Sequence, residues 1–220
     1  MSILTTFNEK LMQYPEKEII IAQNRKYTFR DIELMSNYFA NKLLIVTKSE
    51  IIPFYLIRTE YVLPVVLGIM KAGKIPLPIS NSLEITKSLE RVKDVDFDTI
   101  IYDGYVDTGM KVNILDIPQY NEYREYEQIR KIAENNISYI ICTSGTTGIP
   151  KKVFLTSENI CWLLQEFYKI VDFNSESRFL FTTPYTFDVS LTEILCPVFT
   201  GGTLICYESG VASILGMKKL

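Results

Sequence analysis

Apolar residues recur along this chain at helical and strand-like spacings, and the two patterns alternate from one end to the other. Helical spacing predicts helices at 28–46, 59–72, 82–92, 123–132, 157–170 and 189–199. Short apolar runs predict strands at 51–57, 75–79, 99–102, 111–115, 139–142, 153–155, 178–182 and 203–206. The prolines in 75–79 predict that this strand lies at the margin of a sheet.

Polar residues and glycine at the segment ends predict where the helices begin and stop. Thr28 and Asp31 have the spacing of a capping box, in which each side chain binds the backbone of the other residue. Thr59 and Ser157 are predicted N-caps because their hydroxyl groups can accept bonds from the first turn. Gly73 is predicted to end the second helix, since glycine adopts a left-handed conformation without strain.

This alternation predicts an α/β fold. Helices that separate strands usually connect parallel neighbours, and they pack against the sheet that those strands form. We therefore expect three layers, with a largely parallel sheet and helices on both of its faces. The sequence contains no internal repeat, low-complexity tract or linker that would divide the chain.

A loop rich in glycine and hydroxyl groups separates two apolar runs at 139–155. Gly145 and Gly148 let the backbone turn tightly, so that successive N–H groups can face one anion. Lys151 adds a positive charge, and a polyphosphate is the ligand that suits such a loop. A polar hairpin between two buried strands is the alternative without a ligand. The residues predicted to bind phosphate are Thr143, Ser144, Gly145, Thr146, Thr147, Gly148 and Lys151.

The loop is not a Walker A motif, because Pro150 precedes its lysine and β-forming residues follow it. Its sequence, TSGTTGIPKKV, resembles the phosphate-binding loop of the adenylate-forming ligases, whose pattern is TSG-S/T-TG-x-PKG-V. That family includes nonribosomal-peptide adenylation domains, D-alanine–carrier-protein ligases and acyl-CoA synthetases. Lys152 is the one departure, since the family usually has glycine there. Other segments that resemble the family's motifs are YTFRDIE at 27–33, GIMKAGKIPLPI at 68–79 and YTFDVSLTEI at 185–194.

The resemblance implies an enzyme that uses ATP and Mg²⁺ to activate an amino-acid carboxylate. The products would be an aminoacyl-adenylate and pyrophosphate, and a carrier-protein thiol would later accept the aminoacyl group. The loop would hold the β- and γ-phosphates and offset the negative charge that grows during the reaction.

The resemblance also assigns roles near the start of the last predicted helix. Asp188 would pair with the α-ammonium group of the substrate, which favours an amino acid over a fatty acid. Val189 and Thr192 would line the pocket for the substrate side chain. The alternatives are that Asp188 only caps the helix and that Val189 and Thr192 serve only in the ordinary packing of that helix.

The relatives in this family are more than twice as long as the 220 residues of this chain. The resemblance therefore implies that 1–220 is the N-terminal portion of an adenylation domain, without the rest of the core and the C-terminal lid domain. A separate C-terminal fragment, a carrier protein or a second copy of the chain would then be its partners. The alternatives are an inactive relative that binds nucleotide or protein, and a plain structural domain.

Composition excludes several other functions. The net charge is −3, which offers no electrostatic basis for binding nucleic acid. The chain contains no histidine, so histidine bases and histidine metal ligands are excluded. Four widely spaced cysteines are typical of reduced thiols in a cytoplasmic protein. The apolar stretch 62–70 is too short to span a bilayer, and no secretory signal is visible at the N-terminus.

Overall fold

The computed structural model describes residues 2–23, 25–80, 83–104, 112–118, 122–126, 135–143 and 150–206. Within these ranges, helices and strands alternate as the sequence predicts from residue 28 onward. The helix predicted at 123–132 is an exception, since only a 3₁₀ turn stands at its start and residues 127–132 lie outside the described ranges. The helices are α1 (Ile3–Gln13), α2 (Phe29–Val46), α3 (Val62–Lys71), α4 (Ile85–Glu90), α5 (Ser157–Ile170) and α6 (Val189–Thr200). The strands are β1 (Glu18–Ala22), β2 (Arg25–Thr28), β3 (Ile51–Tyr55), β4 (Ile75–Pro78), β5 (Thr99–Tyr102), β6 (Asn113–Asp116), β7 (Ile137–Thr143), β8 (Lys151–Thr156), β9 (Arg178–Phe181) and β10 (Thr203–Cys206). Short 3₁₀ turns lie at Thr59–Tyr61 and Glu122–Glu125.

The described strands form two four-stranded sheets and a hairpin. One sheet has the order β2-β1-β10-β9, in which β1, β10 and β9 are parallel and β2 is antiparallel. The other has the order β4-β3-β5-β6 and is parallel throughout. The hairpin is the antiparallel pair β7-β8. The predicted α/β class with largely parallel strands is confirmed, and β4 lies at a sheet margin as its prolines predict.

Helices cover both faces of the sheet β4-β3-β5-β6. Ile101 of β5 packs in a core cluster that includes apolar residues of α2 and α3. Its neighbours Ile100 and Tyr102 belong to a second cluster, which includes apolar residues of α4. Because side chains alternate along a strand, this short strand contributes to both clusters. The sheet therefore has the three-layer arrangement that the sequence predicts.

The N-cap predicted for α5 is wrong. Thr156 caps this helix, because its Oγ1 accepts a hydrogen bond from the Asn159 N–H at 3.1 Å. Asn159 accepts a bond from the Thr156 N–H in return, which completes a capping box. Ser157 has Ile160 three residues later and so cannot form the same box. The Ser157 hydroxyl accepts a hydrogen bond from the Ile3 N–H at 3.2 Å instead.

Of the cap predictions for α2 and α3, one is wrong. The capping box of Thr28 and Asp31 is confirmed at the start of α2. Thr59 does not cap α3, since it lies in a 3₁₀ turn and α3 starts at Val62 without a side-chain cap. Gly73 ends α3 as predicted, with a φ of 69° and an N–H bonded to the Met70 carbonyl at 2.9 Å.

The cysteines form no disulfide, and three of the four are buried. None of the described helices is both long enough and apolar enough to cross a bilayer.

A buried lysine joins α3 to α2. The Lys71 side chain is only 5% exposed, and its ammonium group pairs with the Glu33 carboxylate. It also donates hydrogen bonds to Ser36 Oγ at 2.8 Å and to Asn37 Oδ1 at 2.9 Å. Burial lowers the pKa of Lys71, and the charge of Glu33 opposes that shift. The three partners offset the cost of removing the ammonium group from water.

Replacing Lys71 should show how strongly this network contributes to stability. Lys71→Ala should lower the free energy of unfolding by about 3–5 kcal/mol, because it leaves Glu33 without its partner. The double variant Lys71→Met with Glu33→Met should recover much of the loss, since an apolar pair avoids the desolvation cost. Urea unfolding followed by circular dichroism measures both, and equal losses would contradict this account.

Candidate functional site

The hairpin β7-β8 brings the two ends of the glycine-rich loop together. Thr143 ends β7, Lys151 begins β8, and the two residues are partners in the antiparallel register. Thr143 Oγ1 also donates a hydrogen bond to the Lys151 carbonyl oxygen at 3.4 Å. The chain therefore leaves and re-enters the hairpin at adjacent points, as the predicted order of strand, loop and strand requires. The predicted phosphate ligands that lie outside the described residues are Ser144, Gly145, Thr146, Thr147 and Gly148.

The structure distinguishes the two consecutive lysines that follow the loop. The Lys152 side chain is 10% exposed, and its ammonium group pairs with the Asp94 carboxylate, which lies beyond α4. This hydrogen bond lowers the pKa of Asp94. Lys151 is exposed and has no ion-pair partner within the ranges given above. Of the two lysines, Lys151 is therefore the one that remains available beside the loop.

A cleft of about 510 Å³ lies between the hairpin, α4 and the turn that precedes α6. Thr143 and Pro150 from the two ends of the loop line this cleft, and so does Asp188. The structure therefore brings part of the predicted phosphate site close to Asp188, whose carboxylate is predicted to bind the substrate ammonium group. The other lining residues are Pro78, Ile79, Ser80, Ser88, Arg91, Val92, Ile141, Cys142, Thr186 and Phe187.

Asp188 stands immediately before α6. Its Oδ1 accepts a hydrogen bond from the Val189 N–H at 2.9 Å, so Asp188 caps the helix. The side chain is exposed and forms no ion pair with the lysines and arginines that the structure describes. The positive end of the helix dipole favours a carboxylate at this position. Capping and ligand binding are compatible here, and the ammonium-binding role stays a prediction.

Val189 and Thr192, the residues predicted to line a side-chain pocket, lie on the first turn of α6. Val189 is 57% exposed, so it does not simply pack in the core of the described chain. Thr192 Oγ1 donates a hydrogen bond to the Val189 carbonyl oxygen at 2.7 Å. Neither residue lines the cleft that Asp188 borders, so their pocket role stays a prediction.

Glu193 anchors the segment that leads to Asp188, and sequence reasoning missed this role. The carboxylate accepts hydrogen bonds from the Thr182 and Thr183 N–H groups at 3.2 and 3.0 Å. It also accepts bonds from the two threonine hydroxyls at 3.2 and 2.8 Å. α6 is thereby tied to the residues that directly follow β9. A glutamate on a predicted helix gives no sequence signal for such a role.

Arg91 is a second residue that sequence reasoning missed. It directly follows α4, lines the cleft and is exposed. Within the described part of the chain, its guanidinium group has neither a hydrogen-bond nor an ion-pair partner. An arginine fork can bind a carboxylate or a phosphate through two hydrogen bonds. A single arginine at a helix end is too common to predict a site from sequence.

Comparison with known proteins identifies relatives of this chain. A family model described as AMP-binding enzyme matches residues 7–217. Gramicidin S synthase 2 from Brevibacillus brevis is 32% identical over 204 residues, which cover 90% of this chain. That match spans only 4% of the length of the synthase.

Solved structures share the fold at low sequence identity. VinN in complex with L-aspartate has a TM-score of 0.86 at 15% identity, and the match covers 100% of this chain and 60% of VinN. Holo-AB3403, a four-domain nonribosomal peptide synthetase bound to AMP and glycine, has a TM-score of 0.78 at 22% identity. That match covers 99% of this chain and 16% of AB3403. At these identities the likeness establishes the fold alone.

Proposed function

Because this chain belongs to the family of AMP-binding enzymes, we propose that it forms a substrate-binding part of an amino-acid adenylation enzyme. An amino-acid carboxylate oxygen would attack the α-phosphorus of ATP, and pyrophosphate would leave. A carrier-protein thiol would then accept the aminoacyl group, with release of AMP. The cleft carries this proposal, because Thr143, Pro150 and Asp188 line it together.

The phosphates of ATP would bind beside the hairpin. Lys151 would contribute a positive charge there, and the glycines and hydroxyls of the loop would contribute donors. Within the described ranges, no group of three acidic, thiol or imidazole side chains could hold a metal ion. Mg²⁺ would accompany the phosphates, because it keeps several waters and needs few protein ligands.

The amino acid would bind through Asp188. A carboxylate beside an ammonium group forms a charge-assisted hydrogen bond, about twice as strong as a neutral one. Structures of similar fold contain amino acids, since VinN holds L-aspartate and AB3403 holds glycine together with AMP. Val189 and Thr192 would contact the substrate side chain, and Arg91 would add a cation to the cleft wall.

Residues 1–220 would form the N-terminal portion of an adenylation domain. The chain spans 4% of gramicidin S synthase 2 and 60% of VinN. The family resemblance assigns the groups that hold the ribose and the lid lysine to the part that these 220 residues do not contain. That part would be supplied by the same protein or by a separate polypeptide.

A module that binds nucleotide or another protein without turnover is the second candidate function. An apolar stripe on α5 favours it, because Leu163, Phe167 and Ile170 are exposed, and Ile170 is 81% exposed. Their spacing places them along one side of the helix. A second copy of the chain could cover this stripe, and a concentration-dependent sedimentation coefficient would reveal such self-association.

Exchange of labelled pyrophosphate into ATP separates the two functions. A protein that contains this chain and the rest of the domain should exchange in the presence of one or a few amino acids. The 220-residue chain alone should not, since even one pre-organised donor is worth about 10²–10³ in kcat. Nucleotide binding by the chain, without exchange in any longer protein, would support the module instead.

Lys151→Met should weaken ATP binding to the chain about tenfold or more, because a hydrogen bond to a charged group is lost. Lys152→Met is the matched control, since it makes the same change one residue later. The Lys152 ammonium already pairs with Asp94, so this variant should stay within about threefold of the unaltered chain. Isothermal titration calorimetry measures both, and equal weakening would refute the distinction between the lysines.

Asp188→Asn should raise the KM for the amino acid roughly 30-fold or more, because it removes the partner of a buried ammonium group. Asparagine still caps a helix, so Asp188→Asn should lose only the charge–dipole attraction, about 0.3–1 kcal/mol of stability. Asp188→Ala also removes the cap and should lose about 1 kcal/mol more. The KM for ATP should stay within about twofold in both variants. An unchanged amino-acid KM in Asp188→Asn would leave Asp188 as a helix cap only.

A further inference from the structure

Tyr185 occupies the gap between the ends of two neighbouring parallel strands. Its side chain is 2% exposed. The hydroxyl accepts a hydrogen bond from the Leu56 N–H, just after β3, at 3.0 Å. It donates one to the Ile79 carbonyl oxygen, just after β4, at 2.9 Å. One phenol group therefore binds the carboxyl ends of both strands, at the edge where α/β sheets usually bind their ligands.

The rest of Tyr185 is held as firmly as its hydroxyl group. The ring stacks on Phe54 of β3, with centroids 5.5 Å apart and an interplanar angle of 29°. The Tyr185 carbonyl oxygen accepts a hydrogen bond from the Tyr139 hydroxyl of β7 at 3.4 Å. Burial raises the pKa of Tyr185, so the phenol keeps the proton that it donates to Ile79. Contacts from β3, β4 and β7 thus converge on one residue.

The backbone connects Tyr185 to the cleft through a hydrogen-bonded turn. The Phe187 N–H donates to the Pro184 carbonyl oxygen at 2.9 Å, and the Ser190 N–H donates to the Phe187 carbonyl oxygen at 3.1 Å. Asp188 lies inside this turn and lines the cleft. Ile79 and Ser80 line the same cleft from the end of β4. The Tyr185 hydroxyl therefore joins two walls of the cleft.

We propose that Tyr185 is a positioning residue, whose hydroxyl clamps the turn bearing Asp188 to the ends of β3 and β4 and so fixes Asp188 for the substrate ammonium group. The substrate part of this statement rests on the proposed adenylation function. Losing the hydroxyl would leave the Leu56 N–H and the Ile79 carbonyl without this partner and would free the turn to shift. Asp188 would keep its charge but lose its fixed position.

Tyr185→Phe tests the clamp because it removes the hydroxyl and keeps the ring. Tyr168→Phe is a matched control, since the Tyr168 hydroxyl also donates a hydrogen bond to a backbone carbonyl, that of Cys196 on α6, at 3.1 Å. Amide hydrogen exchange at Val189 and Ser190 should become about tenfold faster in Tyr185→Phe and change less than about twofold in Tyr168→Phe. Unchanged exchange in Tyr185→Phe, or equal changes in both variants, would overturn the clamp.

Tyr139→Phe provides an independent variant if Tyr185→Phe does not fold. It removes only the bond to the Tyr185 carbonyl oxygen, so exchange at the same two amides should rise by about threefold. The Tyr185 hydroxyl bonds remain intact in this variant, so a rise of about tenfold or more would show that the hydroxyl does not hold the turn and would overturn the clamp.

Kinetics test the positioning role in a protein that shows amino-acid-dependent pyrophosphate exchange. Tyr185→Phe should raise the KM for the amino acid about five- to tenfold, with kcat and the KM for ATP within about twofold. A fall in kcat alone, or no change, would overturn the positioning role. Absence of exchange in the unaltered protein would refute the adenylation function, while the amide exchange data would still decide the clamp.

Discussion

The fold depends on the parallel pairing of β1 with β10, which joins the two ends of the described chain. Ile20 is paired with Leu204, and the Thr203 hydroxyl donates a hydrogen bond to the Glu18 carbonyl oxygen at 2.7 Å. Because β9 pairs with β10 in turn, the late part of the chain is completed by its beginning. α6 connects β9 to β10, so this pairing also holds the helix that Asp188 begins. The candidate site therefore depends on contacts between residues that are far apart in sequence.

Hydrophobic periodicity predicts most elements after residue 28, because burial on one face leaves a pattern within a few turns of helix or strand. The same pattern predicts none of α1, β1 and β2, although β1 contains the apolar run III. A strand of five residues is too short for its hydrophobic pattern to identify it before its partner strand is known. The division of the strands into two sheets also cannot be predicted from hydrophobic spacing, because it depends on the long-range pairing of β1 with β10.

The site divides in the same way into local and long-range features. The loop ends and Asp188 are predictable, because each belongs to a short motif whose residues are neighbours in sequence. Thr156 was missed as a cap because the adjacent serine is chemically almost equivalent, and only the Asn159 side chain decides between them. Tyr185 and Leu56 are 129 positions apart, so nothing near either residue indicates their hydrogen bond. Sequence motifs thus predict which groups carry chemistry, whereas the groups that hold them require the structure.

The pairing of Lys152 with Asp94 has a consequence for comparative engineering. Lys152 stands where related loops usually have glycine, and a designer guided by family averages would restore that glycine. The substitution would remove the link between the hairpin and the segment after α4, and it would leave Asp94 without its partner. It would also add backbone freedom to a strand. The two positions are coupled by their ion pair, so an average taken at each position separately would overlook the contact that Lys152 makes in this chain.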